Sequence, residues 1–571
     1  MARRNRRPTW RLFLLMVALA IGAGGIVVRL IQVQVLDHEY YTAQAKDEHL
    51  HQTVVHAPRG AILDRNGYPL ATTVTSFDVY IDPRTWKTDR LALQGAAQVA
   101  PLLHRDVAEL ITAVRGQDQG DYLAGRQVSA DVGLRLMQQA SRGVKAVESS
   151  SRYYPEGDLA SAILGFIGRD QTGLAGVEAD FDRELGGVPG LVYFESDGLG
   201  NPIPFGSKVG DQPQPGGDVH LTIDRYIQQL VERELDRQVQ AHGAAGGTIV
   251  VMDPKTGEVL AMASRPSFQL SKLNLADAGQ ADLYRNRAVT DLYEPGSVMK
   301  TITMASAIDL GLVNPNSTYF DSGQADIEGG AVINNWDFSA HGTTTMTQVL
   351  QYSLNTGAVW VSGLLGPQRF YDAMKRFGFG EPSNSGLAGE PAGLVRTNQD
   401  DAWYPIDLAT NSFGQGISVT PVQMLSAISA LVNGGQLMRP YVVKEVTGPE
   451  GHRVYEPVVV RRAVSEETSR TLVQMMQAVV GQPGHLAQVP GYRVGGKTGT
   501  TTFPDRSETL ASFVGFAPVD DPKFVMLARI DAPKDNSLGG VVAAPIFHNL
   551  APKILAYLGV PPDEAFVEEG P

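Results

Sequence analysis

EPGSVMKTIT, residues 294–303, places a serine at the start of a predicted helix, and the rest of the chain is organised around it. The apolar-rich run of residues 298–310 has the length of a helix and ends at Gly311. Ser297 at such a position is most simply an N-cap. A capping box, however, has Glu or Gln three residues after the cap, whereas this sequence has Lys300. The stretch therefore indicates more than a structural cap.

Lys300 is a candidate base for a serine nucleophile. Residues three apart lie on one face of a helix, so the Lys300 amine can approach the Ser297 hydroxyl. The helix N-terminus and burial both disfavour the charged amine, and both would lower the pKa of Lys300. A neutral amine beside a hydroxyl can activate a serine for acyl transfer. Ser-x-x-Lys alone is weak evidence, because about one chance match is expected in a chain of this length.

Two further motifs follow along the chain, SLN at residues 353–355 and KTGT at residues 497–500. The ordered set Ser-x-x-Lys, Ser-x-Asn and Lys-Thr-Gly resembles the signature of the penicillin-recognising acyl-serine transferases. This group contains the penicillin-binding proteins and the serine β-lactamases. As an ordered set, the three motifs are a strong signal.

A second KTG, at residues 255–257, is a decoy. It precedes the serine and lies in VVMDPKTGEVLAMA, where Asp253, Pro254 and Gly257 predict a reverse turn between two apolar runs. The copy at 497–500 instead follows two glycines, which allow close approach of a backbone or a ligand, and leads into strand-like sequence. We therefore expect a hairpin tip at the first copy and the functional motif at the second.

The composition excludes several classes of site. The 571 residues carry a net charge of −13, which argues against nucleic acid as a partner. The absence of cysteine rules out thiol catalysis, disulfides and thiolate metal sites. The 11 histidines are scattered, and no HExxH, Walker or GxGxxG context occurs. We expect neither a metal nor a cofactor.

The N-terminus predicts a membrane anchor. A basic tail, residues 1–11, carries five arginines and is followed by residues 12–28 without a charge; we predict an anchor helix over 12–35. A signal peptide cleaved after Ala18-Leu19-Ala20 is the alternative, but the cut would leave a short apolar core. The arginines predict a cytoplasmic N-terminus and an extracytoplasmic catalytic domain in a single-pass protein of the cell membrane.

Residues 37–215 combine short strands, turns and a few helices. PRGAILDRNGYPLA, residues 58–71, predicts a hairpin at Asn-Gly. This segment and GLAGVEADFD, residues 173–182, resemble the non-catalytic pedestal, or dimerisation, domain of class B penicillin-binding proteins. Arg59, Asp64 and Arg65 are interpreted as residues of fold-holding ion pairs.

Residues 201–218 are rich in Pro and Gly and predict a domain boundary, so that residues 216–571 form the catalytic domain. The sequence Thr-x-x-Gln at residues 345–348 predicts a capping box for a helix that ends near the SLN motif. Helices at both ends of a predicted antiparallel sheet indicate an α+β protein built in layers. The resemblance implies the α/β/α transpeptidase fold, similar to that of serine β-lactamases.

The resemblance covers nearly the whole chain and favours the division-type class B enzymes, on RNRAVTDLYEPGSVMK, YSLNTG and FGQGISVTPVQ. It implies that Ser297 is the acyl-accepting nucleophile and Lys300 its proton acceptor. Ser353 would pass protons to and from the leaving amine, with Asn355 and Lys497 orienting the site.

The third motif supplies the implied substrate-binding residues, Thr498, Gly499 and Thr500. Alternation along a strand places the two threonine side chains on one face, suited to a substrate carboxylate. Lys497 falls on the opposite pleat, and alternation alone does not explain how its amine reaches the cleft. By resemblance, the backbone amides of Ser297 and Thr500 form the oxyanion hole.

The implied reaction is peptidoglycan D,D-transpeptidation. A D-alanyl-D-alanine stem peptide acylates the serine, D-alanine leaves, and an amine of a neighbouring strand resolves the acyl-enzyme; β-lactams are expected to acylate the same serine. The alternatives to a division-type transpeptidase are a DD-carboxypeptidase, an elongation or sporulation enzyme, a membrane-tethered β-lactamase and a non-catalytic division scaffold. A β-lactamase is disfavoured because no Glu-x-x-Leu-Asn is present.

The anchor itself is a candidate partner-binding element. Arg29, Gln32 and Gln34 recur at its outer end, where polar groups face protein or the membrane interface. In relatives the partner is a membrane glycosyltransferase of the shape, elongation, division and sporulation (SEDS) family. Snorkelling to the interface is the alternative interpretation.

Overall fold

The computed structural model describes residues 9–41, 50–117, 120–139, 142–195, 208–273, 277–448, 451–502 and 508–563. Its chain divides into two compact units, one of Met1–Pro58 with Gly187–Pro215 and the other of Arg59–Gly186 with Gly216–Pro571. Most of the predicted basic tail, residues 1–8, lies outside the described residues, as do residues 201–207 of the predicted boundary.

The first unit contains a long apolar helix, Thr9–Ile31, which continues as a π-helix over Gln32–Leu36. Residues Trp10–Leu36 are long and apolar enough to cross a membrane, and their side chains are exposed. A helix satisfies its own backbone polar groups, which is what a lipid environment requires. The helix predicted over residues 12–35 is therefore confirmed, and it fits a single-pass anchor.

The same unit contains a three-stranded antiparallel sheet. Its strands are Leu50–Val55, Gly190–Glu195 and Lys208–Asp211, with the second in the middle. In chain order, the first strand precedes residues 59–186 of the other unit, and the second and third strands come after them.

The second unit contains a seven-stranded sheet that joins both predicted domains. Strand Ile62–Leu63 pairs antiparallel with Pro69–Ile81 across the predicted Asn-Gly turn and parallel with Asp218–Leu221. The remaining strands are Tyr122–Ser129, Val144–Tyr153, Val443–Gly448 and Gly451–Val454. Helices Asp89–Leu102, Val107–Arg115 and Ala130–Gln139 pack on the part of this sheet that precedes residue 154, around the buried Trp86. The predicted hairpin at residues 58–71 is confirmed.

Buried ion pairs hold the pedestal region. Glu178 is fully buried and accepts hydrogen bonds from Arg59 and Arg152, each at 2.6 Å. Arg59 also pairs with Asp182 at 2.7 Å. The fold-holding role predicted for Arg59 is therefore confirmed.

The other two residues of that prediction differ from each other. Arg65 pairs with Glu258 at 3.0 Å, as predicted. Asp64, in contrast, accepts the backbone N–H groups of Asn66 and Tyr68, each at 2.8 Å. Asp64 thus stabilises the hairpin turn as an Asx-type acceptor.

The central sheet of the second unit has five antiparallel strands. In spatial order they are Val259–Arg265, Gly246–Met252, Phe524–Asp531, Thr509–Ala517 and Gly495–Thr502. Helices Arg225–Ala241 and Ala544–Tyr557 cover one face, and helices Met299–Asp309 and Pro421–Val432 lie on the other. The predicted α+β class with an antiparallel sheet is confirmed, and the layers are helix, sheet and helix.

The decoy motif lies where the sequence predicts it. Lys255-Thr256-Gly257 forms the turn between strands Gly246–Met252 and Val259–Arg265, and Gly257 has φ +81°. Lys255 is exposed and pairs with Asp521. It belongs to a hairpin tip, as expected.

The remaining elements of the second unit are short strand pairs and helices. The strand pairs are Phe166–Ile167 with Gly173–Ala175, Thr318–Asp321 with Gly342–Thr345, Gln324–Ile327 with Ala331–Asn334, and Gln436–Met438 with Val459–Arg462. The α-helices are Ser161–Leu164, Gly176–Asp180, Asp182–Gly186, Arg287–Thr290, Met346–Gln351, Asn355–Arg376, Pro405–Asn411, Glu466–Val480 and Gly539–Val542.

Candidate active site

Ser297 lies in a single turn of 3-10 helix, Gly296–Val298, which we call the serine turn. The α-helix Met299–Asp309 follows directly, within one residue of the predicted bounds. Ser297 makes no capping hydrogen bond with this helix. The N-cap interpretation is therefore wrong, and the half-buried hydroxyl is free for another role.

Two glycines allow the serine turn to pack closely against its neighbours. Gly296 has φ +56°, and its N–H donates to the carbonyl of Gly414 at 3.0 Å. On the adjacent strand, a Cβ at Gly499 would lie 2.9 Å from the carbonyl oxygen of Pro295. Any side chain at Gly499 would push the strand away from the turn, so the glycine of the Lys-Thr-Gly motif has a steric function.

Lys300 is 1% exposed and directs its amine at the Ser-x-Asn motif. Nζ donates to the carbonyl oxygen of Ser353 at 2.6 Å, to Asn355 Oδ1 at 2.7 Å and to Ser353 Oγ at 3.3 Å. Within the described ranges, no hydrogen bond joins Lys300 to Ser297. The spacing of three residues brings the two side chains to one helix face, but the partners of the amine come from another segment.

Ser353 lies just beyond the helix Met346–Gln351, whose predicted capping box at Thr345 and Gln348 is confirmed. Its φ of +55° is in the left-handed region, where a serine is uncommon. In this conformation both its carbonyl and its hydroxyl reach Lys300. The strained backbone thus accompanies a residue with two polar contacts to one amine.

Asn355 begins the long helix Asn355–Arg376. Its side-chain amide bridges two neighbours, since Oδ1 accepts from Lys300 and Nδ2 donates to the carbonyl of Asn334 at 2.9 Å. Leu354, the middle residue of the motif, is fully buried in the core. It packs against the interior and does not line the cleft.

The Lys497 amine reaches the Ser-x-Asn motif. Its side chain is 1% exposed, yet Nζ lies 3.0 Å from Ser353 Oγ and 3.2 Å from the carbonyl oxygen of Thr498. The long, flexible four-carbon stem allows the amine to reach both atoms although alternation assigns Lys497 to the opposite pleat. Lys300 and Lys497, on different elements, therefore share Ser353 Oγ as a hydrogen-bond partner.

Thr498 and Thr500 are half-buried and alternate with buried neighbours along the strand Gly495–Thr502. This is the alternation that the sequence predicts for side chains on one face. Thr500 Oγ1 accepts the N–H of Gly539 at 3.0 Å, which fixes that hydroxyl.

The chain is similar to known proteins over most of its length. The family model of the penicillin binding protein transpeptidase domain matches residues 247–551, and that of the penicillin-binding protein dimerisation domain matches residues 54–221. Stage V sporulation protein D of Bacillus subtilis is 36% identical, over 95% of this chain and 85% of that protein. The peptidoglycan D,D-transpeptidase FtsI of Escherichia coli is 31% identical, over 97% and 93%.

A solved structure leads to the same family as these sequence comparisons. The crystal structure of penicillin binding protein 3 from Mycobacterium tuberculosis complexed with ampicillin has a TM-score of 0.69 and 30% identity, covering 91% of this chain and 98% of that one. The chain belongs to the class B penicillin-binding proteins. The resemblance drawn from the three motifs is confirmed.

The electrostatics of this penicillin-binding protein favour neutral amines. Burial, together with the nearby charge of Lys497, lowers the pKa of Lys300 well below its ordinary value. Burial alone lowers the pKa of Lys497 to about 7. Within the described part of the chain, neither amine has a carboxylate among its hydrogen-bond partners, so no negative charge opposes the effect of desolvation.

Two features of this site were not found from the sequence. Glu294 Oε1 accepts the N–H of Gly416 at 2.9 Å, and its carbonyl accepts Thr501 Oγ1 at 3.2 Å. Glu294 lies three residues before Ser297, and the sequence marks FGQG at residues 413–416 only by its resemblance to the family. The signal was present, but only the fold shows that these segments meet around the serine turn.

The second feature that the sequence did not reveal is a buried polar cluster next to Asn355. Thr356 Oγ1 lies 2.8 Å from Asp321 Oδ1 and 2.9 Å from Asn335 Oδ1, and Asn335 also donates to Asp321 at 2.9 Å. All three are buried. This polar cluster fixes the start of the helix that carries Asn355.

No group of three or more His, Asp or Glu side chains among the described residues could hold a metal ion. A cavity of about 910 Å³ opens beside residues 480–494 and is lined by His485, Tyr492 and His548. None of the motif residues lines it, so its size does not make it the site of the chemistry.

Proposed function

We propose that this penicillin-binding protein is a peptidoglycan D,D-transpeptidase that works through a Ser297 acyl-enzyme, and that β-lactams acylate the same serine. The observation that carries the proposal is the convergence of Lys300 and Lys497 on Ser353 beside the serine turn. Relatives named as peptidoglycan D,D-transpeptidases support it.

In the acylation step, Lys300 accepts the Ser297 proton as Oγ attacks the carbonyl carbon of the penultimate D-alanine. A lowered pKa leaves the amine free to accept that proton. Its contacts with Ser353 O and Asn355 Oδ1 orient it. The backbone amides of Ser297 and Thr500 stabilise the oxyanion.

The peptide C–N bond then breaks, and D-alanine leaves with a proton. Ser353 delivers this proton, because its hydroxyl contacts both lysine amines. Thr498 and Thr500 hold the substrate carboxylate on the exposed face of the strand. In the second step an amine of a neighbouring stem peptide attacks the ester, and Ser297 recovers its proton.

The experiment is mass spectrometry of the protein after penicillin treatment, followed by peptide mapping. We expect one adduct, on Ser297, and none in Ser297→Ala. An adduct on another serine, or an undiminished adduct in Ser297→Ala, would overturn the mechanism. Product analysis with a stem-peptide donor and an amine acceptor distinguishes transpeptidation from D,D-carboxypeptidation, since only the former yields the crosslinked product.

We propose further that the protein acts in septal wall synthesis, with the helix Thr9–Ile31 as its membrane anchor and the N-terminus in the cytoplasm. Similarity to FtsI supports the septal role. The anchor would bind a SEDS-family glycosyltransferase through Arg29 and Gln32, whose side chains are hydrogen-bonded to each other at 2.9 Å. Replacement of the anchor by an unrelated span should abolish co-purification with that polymerase; unchanged co-purification would exclude the role.

A further inference from the structure

Arg529 is a buried cation in the central sheet, on the face that carries the helix Met299–Asp309. It lies on the strand Phe524–Asp531 and is 3% exposed. Its guanidinium makes two hydrogen bonds to Asp531, each at 2.8 Å, and lies 3.8 Å from Asp291. It also lies over the ring of Tyr293, with 5.2 Å between Cζ and the ring centroid.

Asp291 and Tyr293 belong to the segment that leads into the serine turn. Tyr293 is 4% exposed, and its backbone exchanges two hydrogen bonds with Val419, at 3.0 and 2.9 Å. Arg529 thus contacts this segment by charge at Asp291 and by a cation–π interaction at Tyr293, four residues before Ser297. Both contacts lie on the sheet side of the segment.

A row of polar residues crosses the sheet at Arg529. Cross-strand pairing places Ser264, Thr248, Arg529, Ser512 and Gly499 side by side, one on each strand. The four side chains are at most 3% exposed. Each has a polar atom without a hydrogen-bond partner in the part of the chain that the structure describes, namely the three hydroxyl oxygens and Arg529 Nη1.

The row ends directly beneath the serine turn. The position of a Cβ at Gly499 lies 2.4 Å from Ser512 Oγ and 2.9 Å from the carbonyl oxygen of Pro295. The polar row and the segment before Ser297 therefore meet at the same point of the edge strand.

A buried ion pair is weak evidence for stability, because an apolar residue of similar volume often packs as well. A guanidinium, however, fixes geometry, since its planar fork binds a carboxylate in two places and stacks on a ring at the same time. We propose that Arg529 is a positioning residue for Ser297, which it places through Tyr293 and Asp291. This inference rests on the proposed role of Ser297 as nucleophile.

Arg529→Lys tests the inference, because it keeps the charge but loses the fork and the stacked plane. Rapid-mixing measurements with a chromogenic β-lactam separate the reversible dissociation constant from the first-order acylation rate constant. We expect the rate constant to fall about ten- to a hundred-fold, the scale of a small misplacement of reacting groups, while the dissociation constant changes little. If Arg529→Lys does not fold, Tyr293→Leu provides the same test, because it removes the ring that the guanidinium contacts and keeps the Arg529–Asp531 pair intact.

Arg59→Lys is the matched control, since Arg59 is also a buried arginine with two carboxylate partners but lies in the pedestal region. It should lower the unfolding temperature without changing the acylation rate constant. A double-mutant cycle of Arg529→Lys with Tyr293→Leu should be non-additive in that rate constant, whereas Arg59→Lys with Tyr293→Leu should be additive.

Acylation rate constants of Arg529→Lys and Tyr293→Leu equal to that of Arg59→Lys would overturn the inference, as would additivity of the first cycle. Either result leaves the proposed function intact as long as the penicillin adduct maps to Ser297. If the adduct of the wild-type protein maps elsewhere, the proposed function itself fails.

Discussion

The amines of Lys300 and Lys497 contact one oxygen atom, Ser353 Oγ, at 3.3 and 3.0 Å. Two ammonium groups so close would repel each other, and burial penalises each of them further. The arrangement is therefore stable only when at least one amine is neutral. A neutral amine can accept a proton and the shared hydroxyl can carry one between the two lysines, as the proposed mechanism requires.

Lys300→Arg distinguishes base catalysis from electrostatic positioning, because arginine keeps the charge but does not deprotonate. We expect this variant to lose acylation about as severely as Lys300→Ala, by on the order of a hundred-fold or more. In the wild type, acylation should rise with pH as the amine deprotonates and level off well below the ordinary lysine pKa of about 10.4. Penicillin acylation rates as a function of pH check both points.

The matched control is Lys255→Arg, in the decoy Lys-Thr-Gly, which should behave as wild type. If Lys300→Arg kept most of the wild-type rate while folded, Lys300 would be a positioning charge. The base would then have to be sought at Lys497, acting through Ser353.

The lowered pKa of Lys497 predicts a pH dependence of stability. The unfolded chain keeps this proton up to about 10.5, whereas the folded protein releases it near 7. Between these values the unfolded state binds more protons, so the free energy of unfolding should rise with pH, by at most about 1.4 kcal/mol per pH unit from this group. This stabilisation, which is complete above about 10.5, decreases as the pH falls and is fully lost once the pH has fallen through about 7. Denaturant titrations of wild type and Lys497→Met at several pH values isolate it as a difference, and a pH-independent difference would contradict the prediction.

Gly499→Ala should impair acylation by steric displacement. Its Cβ would lie 2.4 Å from Ser512 Oγ and 2.9 Å from the carbonyl oxygen of Pro295, so the strand and the serine turn must separate. We expect a loss of about a hundred-fold in the acylation rate, measured with the fold verified by circular dichroism. Gly363→Ala is the control, because no described atom outside its own helix backbone lies within 4 Å of the position of its Cβ.

Glu178→Gln should destabilise the pedestal region without affecting the chemistry. It leaves the buried Arg59 and Arg152 without their shared counter-charge, and loss of one partner of a buried ion pair costs about 3–5 kcal/mol. The exposed pair of Glu109 with Arg105 provides the control, since Glu109→Gln should cost less than about 1 kcal/mol. Thermal unfolding measures both, and equal shifts would refute the assignment.

The polar row at Arg529 should bind ordered water. Buried polar groups are nearly always hydrogen-bonded, and internal water commonly supplies partners that the protein does not. A high-resolution crystal structure should show water within hydrogen-bond distance of Thr248 Oγ1, Ser512 Oγ or Arg529 Nη1. If these three atoms contacted only apolar groups and no water, the prediction of bound water would be wrong.

The sequence by itself determined the local elements of this protein. The capping box at Thr345, the turn at the decoy motif and the anchor helix follow from residues within a few positions of one another. The same local patterns locate Ser297 at a helix start. Order along the chain was enough to distinguish the Lys-Thr-Gly whose lysine contacts Ser353 from the copy at the hairpin tip.

Only the tertiary structure decided which polar atoms meet. Lys300 and Ser353 are 53 residues apart and Lys497 and Ser353 are 144 apart, so no helical or strand period relates them. Spacing placed Lys300 on the face of Ser297, but its amine bonds to Ser353 and Asn355, and strand alternation placed Lys497 on the wrong pleat for the contact that it makes. The row at Arg529 arises from the register of five strands. Periodicity fixes the direction of a Cα–Cβ bond, whereas the end of a long side chain goes where packing between distant segments leaves it a partner.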